Sequence, residues 1–529
     1  MPRALRSLFA LWCALALTAT PADAASPGRL LVTGGGAPGW TLPPVRGNGV
    51  DLNFATGQYW LKGATGPVQN SRATAETCFT SGGNLVQAGP YQNCVTDLGV
   101  GAWEGRTNSV PNNTSASGWS YLDIGGVVHS TPTVTTVNGY NVISTSYVGT
   151  PSASGTVEIV YTGASPVSVI DGQTWTLSES LSYSGSLTNI SSLQTAAFWQ
   201  TAGGTYISGS YASPSISTSL VRYQQSLVVS NSGANVASAI NALLQFNFTS
   251  GQAVNVTFNI AVPQLELNPN IPASVASATV ATGGTCTPGS NITWTIPTTN
   301  GGTAATVTGT VTGTTLSGAL TVTAAGSFTV DATHGLPASP VTVTGGTCTT
   351  QPTINITPVN NSAQAFATTP ILTTSGALAR APDNITLPVV ACAGSGSLYG
   401  IGTPAAPPGY PQNQEFAQID DGTSHNRVAF LRATSGYVVS NSTVVSVGVN
   451  VNASAAPVAA GVSGKTSVFA TASTLQTVYN NGTINSGAVT GFPAGMTTLR
   501  IGVANGGQAP FNGTISRVAV ACGQSLLNQ

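Results

Sequence analysis

Runs that alternate apolar and polar residues with a period of two dominate this chain. Residues 254–260 read Val-Asn-Val-Thr-Phe-Asn-Ile, and residues 445–451 follow the same alternation. Residues 307–311 are a weaker case, because Gly309 occupies the central apolar position. Alternation places every second side chain on one face of a strand, so each run predicts a half-buried β-strand.

Helical periodicity is almost missing from the sequence. The longest stretch that suits a helix is residues 234–244, and it is short. Clusters of Gly, Asn, Ser and Pro interrupt the apolar runs about every 8–12 residues, a spacing typical of antiparallel sandwiches. The pattern therefore predicts an all-β protein.

The N-terminus has the features of an export signal. Arg3 and Arg6 precede an apolar run over residues 8–17, and small residues follow at Ala22 and Ala24. The run is too short to span a bilayer, which favours a cleaved signal peptide over residues 1–24. We therefore expect a protein that is secreted or held at the cell surface.

Charge is scarce along the whole chain. Charged residues make up 5% of the sequence and the formal net charge is −1, whereas about a quarter of an average globular chain is charged. Such a chain lacks the basic footprint of nucleic-acid-binding proteins, so we expect no nucleic-acid partner. No later segment is apolar over the 18 or so residues of a membrane span, so we also expect no membrane insertion.

Six of the seven cysteines lie beyond the predicted signal peptide and fall into three separate pairs. An even number in an exported chain favours disulfides over metal ligands. Six cysteines allow 15 pairings, and the sequence alone does not choose among them. The simplest pairing joins neighbours along the chain, with one bridge in each domain: Cys78 with Cys94, Cys286 with Cys348, and Cys392 with Cys522.

Three segments near the N-terminus resemble the opening of bacteriophage tail-fibre and head-spike proteins. They read VDLNFATGQY over 50–59, NSRATAET over 70–77 and WEGRTNS over 103–109. Further on, GQTWTLS over 172–178 and PQLEL over 263–267 resemble two strands of a carbohydrate-binding-module jelly roll.

These resemblances imply a division of the chain into domains. They imply that residues 51–270 plus 361–380 form a carbohydrate-binding-like jelly roll. Residues 25–50, which carry Gly and Pro without periodicity, are predicted to be an extended leader. The stretch 271–360 resembles the small Gly/Thr-rich β-modules of phage structural proteins and is interpreted as an insertion into that jelly roll.

The C-terminal region resembles a concanavalin A-like lectin/glucanase sandwich of the laminin G type. The resemblance rests on AQIDDGTSHNRV over 417–428, MTTLRIG over 496–502 and FNGTISRV over 511–518. It implies a concanavalin A-like domain over 385–529, in which the first and last strands lie side by side. A disulfide between Cys392 and Cys522 would join those strands.

A glycan site needs aromatic rings that stack on sugar rings and amides that bind hydroxyl groups. In the jelly roll both kinds of side chain are available. The candidate residues are Trp119, Tyr121, Trp175, Trp199, Tyr206, Tyr223, Gln200, Gln264 and Glu266. Large aromatics in a sandwich mostly belong to its core, so we expect about two-thirds of these rings to be buried.

The ionisable residues offer few candidates for a site other than glycan binding. Asp420 and Asp421 are adjacent, so on a strand they point to opposite faces, and the Asp-Gly pair predicts a turn. The competing hypothesis makes them Ca²⁺ ligands, and Ca²⁺ is the one cofactor we consider. Glu104 and Arg106 share a strand face and are predicted to form a structural pair.

The sequence favours an exported, non-catalytic protein that binds glycans or adheres to surfaces. The expected partner is a polysaccharide or a cell-surface glycan, with self-association as a further hypothesis. One alternative is a structural subunit of a filament, spike or surface layer. Another is a secreted polysaccharide-degrading enzyme, although the chain lacks the close acidic cluster that glucanases of this sandwich class carry.

Overall fold

The computed structural model describes residues 49–82, 84–269, 271–298 and 301–528. The predicted signal peptide and all of the predicted leader except residues 49 and 50 lie outside these ranges. Regular structure in the described residues consists of β-strands and two short 3₁₀ turns, Ser362–Gln364 and Asn505–Gly507. The all-β prediction is therefore confirmed. Among these residues no helix has the length and apolar character that a membrane span needs.

The strands are numbered in chain order. Those of the first segment are β1 Val50–Asn53, β2 Gln58–Trp60, β3 Gln69–Asn70, β4 Glu76–Phe79, β5 Leu85–Ala88, β6 Val95–Thr96 and β7 Gly99–Ala102. The next group is β8 Arg106–Asn108, β9 Ser120–Leu122, β10 Val127–His129, β11 Thr133–Val137, β12 Tyr140–Gly149, β13 Gly155–Val160, β14 Val167–Ser168, β15 Thr174–Gly185, β16 Ile190–Gln200, β17 Tyr206–Ala212, β18 Val221–Val228, β19 Ala239–Phe248 and β20 Val254–Leu267.

A third group of strands contains β21 Val275–Thr282, β22 Thr285–Cys286, β23 Gly289–Ile296, β24 Gly302–Thr303, β25 Ala305–Thr312, β26 Thr315–Ala324, β27 Ser327–Phe328, β28 Val341–Thr342, β29 Thr344–Gly345, β30 Cys348–Thr350 and β31 Thr353–Pro358. The last group contains β32 Leu378–Arg380, β33 Ile385–Pro388, β34 Gly396–Pro404, β35 Gln414–Asp420, β36 Arg427–Arg432, β37 Val438–Val444, β38 Val447–Asn452, β39 Gly464–Ala470, β40 Thr474–Tyr479, β41 Asn485–Ala488, β42 Thr498–Ile501 and β43 Gly513–Cys522.

The jelly roll consists of two antiparallel sheets. One sheet has the order β10-β12-β20-β15-β18, with β11 beside β12 and β8 joining β32 to β20. The other has the order β17-β16-β19-β13-β9, with β14 beside β19. As the alternation in residues 254–260 predicts, β20 buries Val254, Val256, Phe258 and Ile260 in the core between the sheets.

The stretch 234–244, the longest that suited a helix, is not helical, and its residues 239–244 belong to a strand. Residues 239–248 form β19 at the centre of the second sheet, between β16 and β13. Its residues Ile240, Leu244 and Phe246 are fully buried in the core. Pairing on both edges supplies the backbone hydrogen bonds and covers the apolar side chains, which outweighs a weak local preference for helix.

The inserted module spans β21 to β31 and has its own core around Trp294, Val307 and Ile354. Its main sheet has the order β28-β31-β21-β26-β25-β23-β29. After this module the chain returns to the jelly roll, where β32 pairs with β8 in the register Arg380↔Arg106.

The C-terminal sandwich packs a sheet of order β2-β1-β43-β34-β39-β40-β41 against a sheet of order β3-β33-β42-β35-β36-β37-β38. The predicted strand–turn–strand over 417–428 corresponds to β35 and β36. The run 445–451 is only partly a strand, because Val445 and Ser446 have φ of 45° and 70° and form the turn between β37 and β38.

The first segment does not belong to the jelly roll, and its predicted placement there is wrong. Strand β1 pairs with β43 in the register Leu52↔Val518, and Leu52 is fully buried in the core of the C-terminal sandwich. Strand β3 likewise pairs with β33. Apolar and polar residues alternate from Val50 to Phe54, which agrees with a strand, but this pattern carries no information about the partner strand, which lies more than 400 residues away along the chain.

The three disulfides join Cys78 to Cys94, Cys286 to Cys348, and Cys392 to Cys522, as the simplest pairing predicts. The third closes the longest loop and lies beside the pair Gly396↔Cys522 of β34 and β43. Cys392 itself lies in the connection between β33 and β34, rather than on the first strand.

A buried ion pair lies where the jelly roll meets the C-terminal sandwich. Arg106 on β8 donates from Nε to Glu104 Oε1 (2.5 Å), which confirms their predicted pairing. Arg106 Nη1 also donates to Asn268 Oδ1 (2.5 Å) of the jelly roll. The Tyr410 hydroxyl of the C-terminal region donates to Glu104 Oε2 (2.7 Å), and Glu104 N donates to Asn512 Oδ1 (2.8 Å). The pair therefore joins both sandwiches.

We expect loss of the Cys392–Cys522 bridge to destabilise the protein more than loss of Cys78–Cys94. Closing loops of 130 and 16 residues removes chain entropy worth about 5 and about 3 kcal/mol in the unfolded state. Calorimetry of the double variants Cys392→Ala/Cys522→Ala and Cys78→Ala/Cys94→Ala checks the order. Equal losses, or a larger loss from the second variant, would contradict it.

We expect the jelly roll to lose stability as the pH rises from 5 to 8. Burial raises the pKa of Glu179 on β15 from 4.5 to about 8, although Tyr161 and Arg222 oppose the shift. Between those values the folded state binds more protons than the unfolded state, so the free energy of unfolding falls with pH, by at most about 4 kcal/mol for this group. Urea unfolding at several pH values, monitored by tryptophan fluorescence, measures this change in the free energy of unfolding. Glu179→Gln should reduce the dependence and leave the part that comes from Asp171, whose pKa burial raises to about 7. The exposed control Asp97→Asn should keep the full dependence, and the reverse outcome would contradict the assignment.

Candidate functional site

The outer face of the six-stranded sheet of the jelly roll combines exposed rings with amides. On its central strand β19, Ile240, Leu244 and Phe246 enter the core, so Gln245 and Asn247 lie on the opposite side. Neither of these amides is fully buried. The alternation thus gives the sheet a polar outer surface at its centre.

Three aromatic residues lie on the same side, at the β16–β17 edge. Tyr206 and Tyr211 on β17 are 54% and 41% exposed, and their hydroxyl oxygens are 3.3 Å apart. The ring of Phe198 on β16 lies 6.1 Å from that of Tyr206. A Cβ atom at Gly209 would come within 2.9 Å of the Tyr211 ring, so the glycine lets this ring lie close against the strand.

Hydrogen bonds between strands fix the amides of this surface. Gln245 Nε2 donates to Gln194 Oε1 (2.8 Å), and Asn247 Nδ2 donates to Ser192 Oγ (2.8 Å). Gln200 lies opposite Tyr206 in the β16–β17 register. We call the surface formed by Phe198, Tyr206, Tyr211, Gln194, Gln200, Gln245 and Asn247 the tyrosine face.

One carboxylate borders the tyrosine face. Glu158 on β13 pairs in register with Gln245, and burial raises the pKa of its half-buried side chain. The pKa of Tyr211 is also raised, first by burial, then by the Tyr206 hydroxyl, and further by Glu158. Tyr211 is therefore a neutral phenol at physiological pH.

The structure places two of the nine candidate glycan residues, Tyr206 and Gln200, on the tyrosine face. Trp119, Trp175 and Trp199 belong to the core and are 4–8% exposed. Each indole Nε1 donates to an oxygen within the jelly roll, of Asn112, Gln173 and Ser230 respectively. These three tryptophans therefore pack the core of the sandwich.

The two candidate tyrosines outside the tyrosine face are half-buried. Tyr121 packs against the core and stacks on His129 with ring centroids 4.0 Å apart. Tyr223 also packs against the core, and its hydroxyl donates to Ser215 O (2.7 Å). Their rings are already engaged within the jelly roll.

The interpretation of Gln264 and Glu266 as lining a glycan groove is wrong. Both lie on the other sheet and are fully buried by the chain that returns from the inserted module. Glu266 accepts hydrogen bonds from Thr368 N (3.0 Å) and Oγ1 (2.6 Å). Gln264 Oε1 accepts one from Ile371 N (2.7 Å). Their role is to hold this returning segment on the sheet.

Asp420 and Asp421 point to different environments, as their adjacency predicts. Asp420 is fully buried and accepts from Arg500 Nε (2.7 Å) and Gln418 Nε2 (2.6 Å). Asp421 accepts from the backbone and hydroxyl of Thr423 within the turn, which lowers its pKa. Arg500 therefore engages the Asp420 carboxylate, whereas the Asp421 carboxylate is engaged within the turn.

One other group of ligand-type side chains lies close together in the described residues: Glu76, Cys78 and Cys94. The two cysteines form a disulfide, so their sulfur atoms are not thiolate ligands. Glu76 instead forms a buried ion pair with Arg72. The group is part of the structural core.

Sequence reasoning missed Phe198, Tyr211, Gln194, Gln245 and Asn247. The signal that could have found the amides is the alternation over 240–248, where polar residues at 241, 245 and 247 separate apolar ones. Tyr211 carried no such signal, because a bulge between Trp199 and Gln200 shifts the register of β17.

Comparisons with known proteins give limited similarity. No protein-family model matches the chain, and no curated protein matches it. Among solved structures, the CBM40 domain of a Ruminococcus gnavus sialidase, bound to α2,3-sialyllactose, aligns at 16% identity and a TM-score of 0.21, covering 25% of this chain and 77% of its own.

Two further structures align over more of the chain. The N-terminal CBM22-1–CBM22-2 tandem domain of Paenibacillus barcinonensis Xyn10C aligns at 9% identity and a TM-score of 0.21, covering 80% of this chain and 99% of its own. Domains LG4-5 of the mouse laminin α1 chain align at 9% identity and a TM-score of 0.20, covering 67% and 83%. Scores this low carry no argument, so the fold rests on the sheets described above.

Proposed function

We propose that the tyrosine face binds an uncharged polysaccharide and that the protein acts as an exported, non-catalytic glycan-binding or adhesive protein. The observation that carries the proposal is the set of exposed rings, Tyr206 and Tyr211 with Phe198, beside a hydrogen-bonded row of amides. Sugar rings present apolar C–H faces that stack on aromatic rings, and their hydroxyl groups pair with amides.

The charge of the face supports a neutral ligand. Glu158 is the carboxylate that borders the rings, and Tyr211 is uncharged at physiological pH. An anionic polymer finds no cationic partner in the tyrosine face as defined, and Glu158 opposes its approach. The low charge of the whole chain removes long-range attraction to such polymers as well.

An extracellular location agrees with three disulfides, which persist mainly in oxidising compartments. A binding role also agrees with the placement of the carboxylates considered for catalysis. Glu266 is buried in the jelly roll, and Asp420 is buried in the C-terminal sandwich beside Arg500. These groups are not paired across one cleft, as glycoside hydrolysis needs.

We expect Tyr206→Ala and Tyr211→Ala each to weaken polysaccharide binding about tenfold, because each removes one stacking ring. Affinity electrophoresis in gels containing xylan, galactomannan or hydroxyethylcellulose measures the effect, with alginate as the anionic comparison. Tyr91→Ala is the matched control, since Tyr91 is 45% exposed and lies outside the jelly roll.

These binding measurements distinguish an error in the location of the site from an error in the proposed function. Binding that survives in Tyr206→Ala/Tyr211→Ala would move the site elsewhere on the protein. No retardation of the natural protein by any neutral polysaccharide, in the presence or absence of Ca²⁺, would overturn the proposed function. Binding that requires Ca²⁺ would also exclude the tyrosine face, which offers a cation no carboxylate cluster.

Strand β11 favours a second function, as a structural subunit that associates with copies of itself. All five residues of Thr133–Val137 are exposed, and the strand pairs with β12 alone among the described strands. It carries no charge or proline, the features that normally protect an edge from pairing with another chain. The low net charge adds little repulsion between copies.

If β11 pairs with another copy, the protein should be a dimer or larger assembly at micromolar concentration. We expect Thr135→Lys to dissociate it, because a charged side chain on an edge strand opposes association. Light scattering coupled to size-exclusion chromatography gives the mass. A monomer for the natural protein, or an assembly that Thr135→Lys leaves intact, would eliminate this second function.

A further inference from the structure

A cleft opens between the two sheets of the jelly roll, where the edge strands β17 and β18 lie next to each other. Its volume is about 390 Å³, and ligand pockets typically measure about 300–1,000 Å³. Strand β17 contributes Gly209 and Ser210 to the lining, and β18 contributes residues 226–228. The Ser210 hydroxyl donates to Gln225 Oε1 of β18 (3.4 Å), so a hydrogen bond connects the two edge strands beside the cleft.

The cleft ends at the core of the jelly roll. Trp199 and Leu227 line it and are 5% and 3% exposed. The Trp199 indole is fixed, because its Nε1 donates to Ser230 O (2.7 Å). Residues within 357–362, where the chain leaves the inserted module, form one wall. A ligand therefore enters this cleft as a projecting end and does not pass through it.

The polar groups of the cleft are uncharged. Among the described residues its lining contains no ionisable side chain but several hydroxyl groups and one amide, those of Ser210, Ser226, Ser230, Thr357, Ser362 and Asn360. Asn360 Oδ1 accepts from Ser362 Oγ (2.6 Å), which leaves the N–H groups of the amide for a ligand. Hydroxyl groups both donate and accept, so this lining suits a neutral ligand rich in hydroxyl groups. A charged ligand would lose its water without gaining a counter-charge.

The cleft and the tyrosine face lie on either side of the edge strand β17. Gly209 lines the cleft, and a Cβ atom there would come within 2.9 Å of the Tyr211 ring on the tyrosine face. Trp199 lines the cleft, whereas its neighbour Phe198 belongs to the tyrosine face. One strand is about 5 Å wide, so a molecule held on the tyrosine face reaches the cleft with a short side group.

We propose that this cleft holds a sugar branch of the neutral polysaccharide whose main chain lies on the tyrosine face. The inference rests on the proposed function and narrows its substrate class to branched polysaccharides. The open face of a sheet suits a run of the main chain, whereas a cleft that ends at the core suits a group that projects from that chain. The Trp199 indole supplies an apolar surface for the branch, and the surrounding hydroxyl groups pair with those of the sugar.

The first test compares branched and debranched polysaccharides and needs no variant. Galactomannan before and after removal of galactose branches, and arabinoxylan before and after removal of arabinose branches, are matched pairs. We expect the natural protein to bind the branched member of at least one pair about tenfold more tightly in affinity electrophoresis. Equal binding within both pairs would overturn the inference and leave the tyrosine face as a site for the main chain. Binding to neither pair would contradict the proposed function itself.

The second test fills the mouth of the cleft. Thr357 is exposed and lines the cleft, so Thr357→Trp should abolish the preference for the branched polymer and retain binding of the debranched one. Thr350→Trp is the matched control, since Thr350 is an exposed residue of the inserted module outside the lining, and it should keep the preference. Tyr206→Ala/Tyr211→Ala should weaken the binding of both polymers alike. A preference that survives in Thr357→Trp, or that is lost equally in Thr350→Trp, would overturn the inference.

Discussion

Burial of the Glu104–Arg106 ion pair is the constraint on which the arrangement of the two sandwiches depends. Arg106 reaches Asn268 in the jelly roll, while Glu104 accepts from Tyr410 in the C-terminal region. A buried charge that loses one partner typically costs 3–5 kcal/mol. The jelly roll supplies Asn268 and the C-terminal region supplies Tyr410 and Asn512, so the ion pair at the junction is hydrogen-bonded to both sandwiches.

Low charge has opposite consequences inside and outside the protein. At the surface it leaves hydroxyl groups, amides and rings to interact with other molecules, as on the tyrosine face. In the core each ionisable group has to be neutral or paired: Asp420 is held by Arg500, and Glu179 keeps its proton through a raised pKa. Arg380 and Arg432 are buried arginines that donate to neutral acceptors and appear in none of the ion pairs of the described residues.

The sequence carried local information reliably and long-range information poorly. Alternation identified β20, and the simplest pairing of the cysteines, one of 15 that the sequence allowed, matches the three disulfides. The partner of β1 was not predictable, because alternation does not encode which distant strand completes a sheet. The roles of Gln264 and Glu266 depend on a segment that returns after the inserted module, so their burial was equally hidden.

The pairing of β1 with β43 also determines how the protein would respond to a mechanical load. Val50 lies opposite Val520, so force applied to the two chain ends would act at the same end of this antiparallel pair and open its hydrogen bonds one after another. Because the Cys392–Cys522 disulfide connects the two ends of this segment directly, tension would run through the disulfide and bypass the residues between the two cysteines. Under traction, β1 would peel away first while the strands inside that covalent loop stay shielded.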